Sequence, residues 1–271
     1  MKKNSTSDHP ASLKRRDFLA LGAVPLAAAL GPVNLADEHR PKTKTSSQET
    51  VRVGFIGAGA NARAVQIPGF KRIDGCEVVA VVKRSLVETQ EVADVDGIPR
   101  AYANWRELID DDSIHAVSIG TWPYMHRTLT LTALESGKHV LCQARMTNNA
   151  QEARDMLEAS LLYPDLVCQL VPTSMSYRID NVLKQLLRDG YVGEVLSAEL
   201  QRLQTRFPTY DGDLDWRHDQ QFSGYNILNI GASYESMMRW LGRATRVVAM
   251  SKIHVPYRRN SRGERTPATL P

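Results

Sequence analysis

Residues 51–62, VRVGFIGAGANA, constrain the fold more than any other stretch, because an apolar β-type run breaks there into Gly57-Ala58-Gly59-Ala60-Asn61-Ala62. Glycine at the first position permits a tight turn, and at the second it lets backbone approach a diphosphate. A small residue at the last position lets the following helix lie against the strand. The start of that helix offers free N–H groups to phosphates. A glycine-rich turn alone is common, but here a helical stretch, 61–72, and a second strand, 77–82, follow at βαβ spacing. The turn predicts a dinucleotide site with Gly57, Gly59, Ala60, Asn61 and Ala62 at the diphosphate.

Strand and helix signals keep alternating after this point: helix 86–94, an extended stretch near Ala101, helix 105–109, strand 116–119, helix 126–136 ended by Gly137, and strand 139–142. Helix 149–160 and strand 166–171 continue the series. Alternation of this kind predicts an α/β fold whose first domain, 51–172, is a doubly wound parallel sheet. The second half reads differently, with helix 180–189 closed by Gly190, long strand-like runs at 195–203 and 246–253, and helix 226–240. That helix places Ile227, Ile230, Tyr234, Met237, Met238 and Leu241 on one side. The expectation for 173–271 is an α+β domain whose sheet faces the cofactor cleft.

Of the 271 residues 42% are hydrophobic and 24% charged, which excludes disorder for most of the chain. The net charge of +4 does not imply a nucleic-acid partner, because Lys2, Lys3, Lys14, Arg15 and Arg16 against Asp8 and Asp17 place +3 of it within residues 1–36. There, paired arginines precede Asp17-Phe18-Leu19 and an apolar run, 19–30, too short for a permanent membrane span. The segment resembles a twin-arginine signal, predicting export to the periplasm of a protein already folded around its cofactor. Residues 37–50 read as a solvated linker. The three cysteines, Cys76, Cys142 and Cys168, each fall in a β-like run and read as small buried hydrophobes rather than a disulfide framework.

Strand 77–82 runs into Lys83-Arg84-Ser85, whose cations and hydroxyl suit a 2′-phosphate and favour NADP(H); Glu88, close by, keeps NAD possible. Thr121, Trp122, Pro123 and His126 follow strand 116–119 and fall at the carboxyl edge of the sheet, where ligands bind in such folds. Pro123 suits the start of the next helix, and a histidine in its first turn is ordinarily a hydrogen-bonding group. Asp211-Gly212-Asp213-Leu214-Asp215 imitates a calcium loop, but Trp216 and Phe222 stand where glycine and a bidentate acid are required, and the histidines lack metal-ligand spacing. Asp110-Asp111-Asp112 reads as a solvated turn.

From residue 51 to about 250 the chain resembles the Gfo/Idh/MocA family of NAD(P)-dependent oxidoreductases. The resemblance rests on GFIGAGANA, Thr121-Trp122-Pro123 with His126, Gly137-Lys138-His139-Val140-Leu141-Cys142, Asp215-Trp216-Arg217, and the stretch from Ser223-Gly224 to Trp240. It implies a Rossmann domain followed by an α+β domain with an open, mostly antiparallel sheet, and hydride chemistry on a sugar, polyol or related carbohydrate. It also implies cofactor contacts from Gln143 and Arg145, and a pocket shaped by Trp216 and Arg217. The family's usual Glu-Lys-Pro is here Gln143-Ala144-Arg145, and its later Asp and His are Asn229 and Ser233. Alcohol oxidation releases a proton, and a base needs a lone pair with a suitable pKa. Arg145 offers charge for a carbonyl or carboxylate rather than basicity. Asn229 and Ser233 occupy the catalytic helix positions, and Tyr234 beside them offers a hydroxyl for proton exchange.

Three readings follow: an exported oxidoreductase with a non-standard proton relay, a catalytically silent nucleotide-fold sensor, and a redox-neutral glycoside enzyme using transient oxidation. The chain stops at Leu270-Pro271 before the family's second sheet would be complete, so a truncated substrate domain is expected, with homo-oligomer contacts through that sheet if complete.

Overall fold

A computed structural model describes residues 50–171, 177–203, 212–225 and 228–270. The expected signal segment, 1–36, and all but the last residue of the expected linker lie outside the described residues. Strand β1 (Val51–Ile56) is central: Phe55 is fully buried and Val53 and Ile56 are 2% exposed, as an apolar run covered on both faces requires. It pairs in parallel with β2 (Cys76–Val82) on one side and β4 (Ala116–Ile119) on the other. Strand β3 (Arg100–Tyr102) extends the first flank, and β5 (His139–Cys142) and β6 (Cys168–Leu170) the second. The order β3-β2-β1-β4-β5-β6 is that of dinucleotide-binding sheets, whose ligand crevice opens at the carboxyl edge where the strand order reverses.

Helices cover both faces. Helix α1 begins as the π-helical turn Ala62–Gln66 and continues through Ile67–Phe70; α2 (Leu86–Asp96), α3 (Trp105–Asp110), α4 (Pro123–Glu135) and α5 (Ala150–Leu162) follow. One core layer gathers Val53, Phe55, Ile67, Val81 and Val92, and the other Ile56, Leu108, Ile119, Leu129 and Leu134. Each such side chain contributes roughly 1.5–3 kcal/mol by leaving water. Local sequence sets the helix starts: Ser85, Asn104 and Asn149 accept from the backbone N–H of Glu88, Arg106 and Glu152, and Pro123 opens α4 at a position whose N–H needs no partner. The cysteines are free thiols; burial of Cys142 raises its pKa to about 12.

One supposed surface turn is a structural node. Asp111 accepts from Tyr102 Oη at 2.5 Å and from Ser113 N at 2.8 Å, and it pairs with Arg100. These partners lie on β3 and in the turn before β4, so the carboxylate joins segments that local composition could not connect. Its pKa falls to about 2, through the bonds from Ser113 and Tyr102 before the Arg100 charge.

The second half holds α6 (Asp180–Arg188), a 3-10 turn Trp216–His218, a short α7 (Gln220–Ser223), α8 (Leu228–Leu241), and an antiparallel pair β7 (Tyr257–Arg259) and β8 (Arg265–Pro267). Helices α6 and α8 are joined by Trp240 Nε1 donating to Asp180 Oδ1 at 2.8 Å and by Arg239 with the same carboxylate at 3.2 Å. The strands expected at 195–203 and 246–253 are not formed: both runs are unpaired among the described residues, and Leu196, Leu203, Val248 and Met250 are 88–97% exposed. Period-two alternation defines a face but supplies no partner for backbone hydrogen bonds. In α8 the small side chains are more buried than the apolar residues grouped on one side. Ile230 is 73% exposed, whereas Ala232, Ser233 and Ser236 are buried, so small side chains face inward.

Candidate functional site

The site is built on the turn after β1. Gly57 adopts φ 84°, and a Cβ there would stand 2.7 Å from Thr121 N and 2.8 Å from Gly120 C, so the turn rests directly on the chain leaving β4. Gly59 faces open space, where an added Cβ would meet nothing within 4 Å. A tight turn followed by a bare backbone at a helix start, at the sheet's reversal point, is what a diphosphate requires, so these residues fit a dinucleotide.

An amide chain braces the turn from β5. Gln143 Nε2 donates to Asn61 Oδ1 at 3.0 Å, and Gln66 Nε2 donates to Gln143 Oε1 at 2.8 Å. Gln143 thus has both ends engaged and positions the turn. Gln66 escaped the sequence reading because nothing local marks a glutamine 77 residues from its partner. His126 is 1% exposed and ties two loops together: Nδ1 lies 2.9 Å from Arg145 O and 3.1 Å from Met146 O, and Nε2 lies 3.0 Å from Thr121 O. Burial pushes its pKa below the ordinary value, with the carbonyls opposing. An imidazole whose two nitrogens face carbonyls of both loops acts as a clasp.

Beyond β2, Ser85 Oγ is used in capping α2. Lys83 Nζ and Arg84 Nη2 lie 3.6 and 3.2 Å from the two oxygens of Glu88, so the expected phosphate-binding cations and the acid that would favour NAD are one ion-paired group.

An aromatic stack closes the other side. Asp215 caps the Trp216–His218 turn, its Oδ1 accepting from Arg217 N at 2.8 Å, and Gly224 brings the end of this segment against Asn148, where no Cβ would fit. The Trp216 ring stacks on Trp122 at 5.7 Å with 15° between planes, and Phe222 lies 5.0 Å from Trp122 and 5.6 Å from Tyr124. Guanidinium groups cover the outer rings: Arg84 lies 5.6 Å from the centre of Trp122, and Arg217 and Arg145 lie 4.2 and 5.5 Å from that of Trp216. Phe222 joins the stack through contacts that only the fold creates.

Thus Gly57, Gly59, Ala60, Asn61, Ala62, Thr121, Trp122, Pro123, His126, Gln143, Arg145, Trp216 and Arg217 fall along one edge. The α8 candidates do not join them by contact. Tyr234 is 40% exposed and its hydroxyl accepts from Ala244 N at 3.1 Å; Ser233 is buried with Oγ unpartnered among the described residues, and Asn229 is half-buried. Among the described residues no hydrogen bond, ion pair or ring contact links these three to Arg145. Among the described residues, no helix is long and apolar enough to cross a membrane.

Residues 51–161 match the profile of the GFO_IDH_MocA group, described as an oxidoreductase family with an NAD-binding Rossmann fold. The chain is 26% identical over 224 residues to levoglucosan dehydrogenase of Pseudarthrobacter phenanthrenivorans, covering 78% of this chain and 56% of that protein. It is 34% identical over 122 residues to trans-1,2-dihydrobenzene-1,2-diol dehydrogenase of Oryctolagus cuniculus, covering 45% and 37%. The chain thus spans about half the length, or less, of the curated relatives it matches. A solved levoglucosan dehydrogenase in complex with NADH and L-sorbose superposes with a TM-score of 0.67 at 22% identity, over 81% of this chain and 61% of that one, a likeness of fold. The strand order, the glycine turn and these similarities together show that residues 51–161 have the NAD-binding Rossmann fold and are similar to the Gfo/Idh/MocA oxidoreductases.

Proposed function

We propose that the chain belongs to an NADP(H)-dependent oxidoreductase acting on a sugar, polyol or related carbohydrate. The observation that carries the reading is the bare turn at Gly57–Gly59, braced by Gln143 and lying on the same sheet edge as the cationic aromatic stack. Its support from outside is the family match of residues 51–161 and the sugar and diol dehydrogenases among its relatives. The backbone from Gly57 to Ala62 would hold the diphosphate, Lys83 and Arg84 the adenosine end, and Thr121, Trp122 and Pro123 the nicotinamide side. A bound nicotinamide supplies hydride exchange with a carbinol carbon. Trp216 carries the guanidinium groups of Arg217 and Arg145 at the cleft, His126 holds the flanking loops, and Arg217 supplies charge. The remaining assignments are part of the same proposal: a signal over 1–36 directing export, a Rossmann domain over 51–172, and a substrate domain over 173–271 suited to oligomer contacts.

A second reading, a sensor that binds nucleotide without turnover, is favoured by Ala144 at the lysine position and by the engagement of the Tyr234 hydroxyl with Ala244. Titration of the purified protein with NADPH and NADH, followed by nicotinamide fluorescence, and a turnover screen on sugars and inositols test both. Binding with turnover supports the enzyme, binding without turnover supports the sensor, and failure to bind either nucleotide overturns both.

A further inference from the structure

Arg145 poses a problem that the proposed function leaves open. Its side chain is 9% exposed, yet Nε and Nη2 are buried and have no hydrogen-bond partner, and no carboxylate pairs with it among the described residues. A buried guanidinium with orphaned donors is strongly unfavourable unless an anion completes it. The nearest charge worsens matters: Arg217 shares the Trp216 ring, and burial and then this second cation bring the Arg145 pKa down to about 10. The Asp215 carboxylate, 3.3 Å from Arg217 Nη1, answers Arg217 alone. Two guanidinium groups converge on one indole, and among the described residues only Arg217 has a counter-ion.

We propose that Arg145 receives a carboxylate of the substrate, with Arg217 beside it, so that the carbohydrate is a sugar acid, an aldonate or uronate, rather than a neutral sugar. This rests on the reading of the cleft as a carbohydrate site. The planar fork of Arg145 suits a bidentate carboxylate. The cofactor's diphosphate is the other anion at hand. It belongs at the turn after β1, whereas Arg145 follows β5, two strands across, or roughly 10 Å at ordinary strand spacing. The guanidinium of Arg145 is turned toward Trp216, while it is Gln143 that reaches back to Asn61.

The test is isothermal titration of the full chain and of Arg145→Gln and Arg145→Lys with gluconate, glucuronate, glucose, myo-inositol, inorganic phosphate, and separately NADPH. The expected result is binding of at least one acid with glucose and inositol at least roughly tenfold weaker. Loss of the buried charge-assisted pair should weaken that acid by roughly thirtyfold in Arg145→Gln. Arg145→Lys, which keeps the charge without the fork, should fall between, and NADPH affinity should change less than about threefold. Neutral sugars binding as tightly as the acids, no acid binding at all, or acid binding unchanged in Arg145→Gln overturns the proposal. Loss of NADPH affinity in that variant with acid binding retained also overturns it and assigns Arg145 to the diphosphate. Acid binding that depends on Arg145 in a protein that does not bind NADPH upholds the carboxylate site and refutes the nucleotide reading instead.

Discussion

Alanine at the two glycines of the turn separates folding from ligand binding. Gly57 sits at φ 84°, and a Cβ there would come within 2.7–2.9 Å of Thr121 N, Gly120 C and Thr121 Cγ2. Two of those contacts are backbone and cannot rotate away. Forcing alanine into the left-handed region costs about 1–3 kcal/mol, and the overpacking a similar amount, so Gly57→Ala should lose roughly 3–4 kcal/mol. For a domain of this size that lowers Tm by roughly 10 °C. Gly59→Ala meets nothing within 4 Å and should alter stability by less than about 0.5 kcal/mol. The methyl group would occupy the approach of the diphosphate, however, and NADPH affinity should drop by at least about tenfold. Thermal and urea melts without nucleotide, followed by NADPH titration, read the two effects apart. A Gly57→Ala protein that melts with the parent, or a Gly59→Ala protein that binds NADPH normally, would refute the placement of the turn.

Three further outcomes follow from named contacts. The folded pKa of His126 lies below its ordinary 6.5, so the unfolded chain takes up its proton first as pH falls; stability should decline from about pH 6.5 toward the folded value, by at most about 1.4 kcal/mol per pH unit, and His126→Asn should flatten that limb of a urea-midpoint profile. Asp111, lowered to about 2 from 3.8, stabilises the fold above pH 3.8 and loses that contribution as pH falls toward 2; discounted for solvent screening, Asp111→Asn should cost about 1–2 kcal/mol at pH 7, with the two proteins converging in acid melts. Arg84→Ala, which removes the guanidinium over Trp122, should weaken NADPH by about tenfold while leaving NADH within about threefold in parallel titrations.

Much of the parallel-sheet region was legible because its signals are local. The apolar run into Gly57, the capping residues Ser85, Asn104 and Asn149, and Pro123 each act within a few residues, and βαβ handedness then leaves few ways to order the strands. The second half was less legible. The runs at 195–203 and 246–253 carry strand-like alternation but find no partner among the described residues, and in α8 the small side chains are more buried than the apolar residues grouped on one side.

The sequence by itself determined the glycine turn and the alternation of elements. Only the tertiary structure decided that His126 clasps carbonyls from 121, 145 and 146, that Gln143 and Gln66 brace the turn, and that Trp122 and Trp216 stack beside three guanidinium groups with Phe222 tilted against Trp122. It also decided that Arg145 is buried with no counter-ion among the described residues. The physical reason is range: caps, turns and periodicity are written within one or two helical turns of chain, whereas a buried charge or a ring stack is defined by neighbours that only the closed fold assembles.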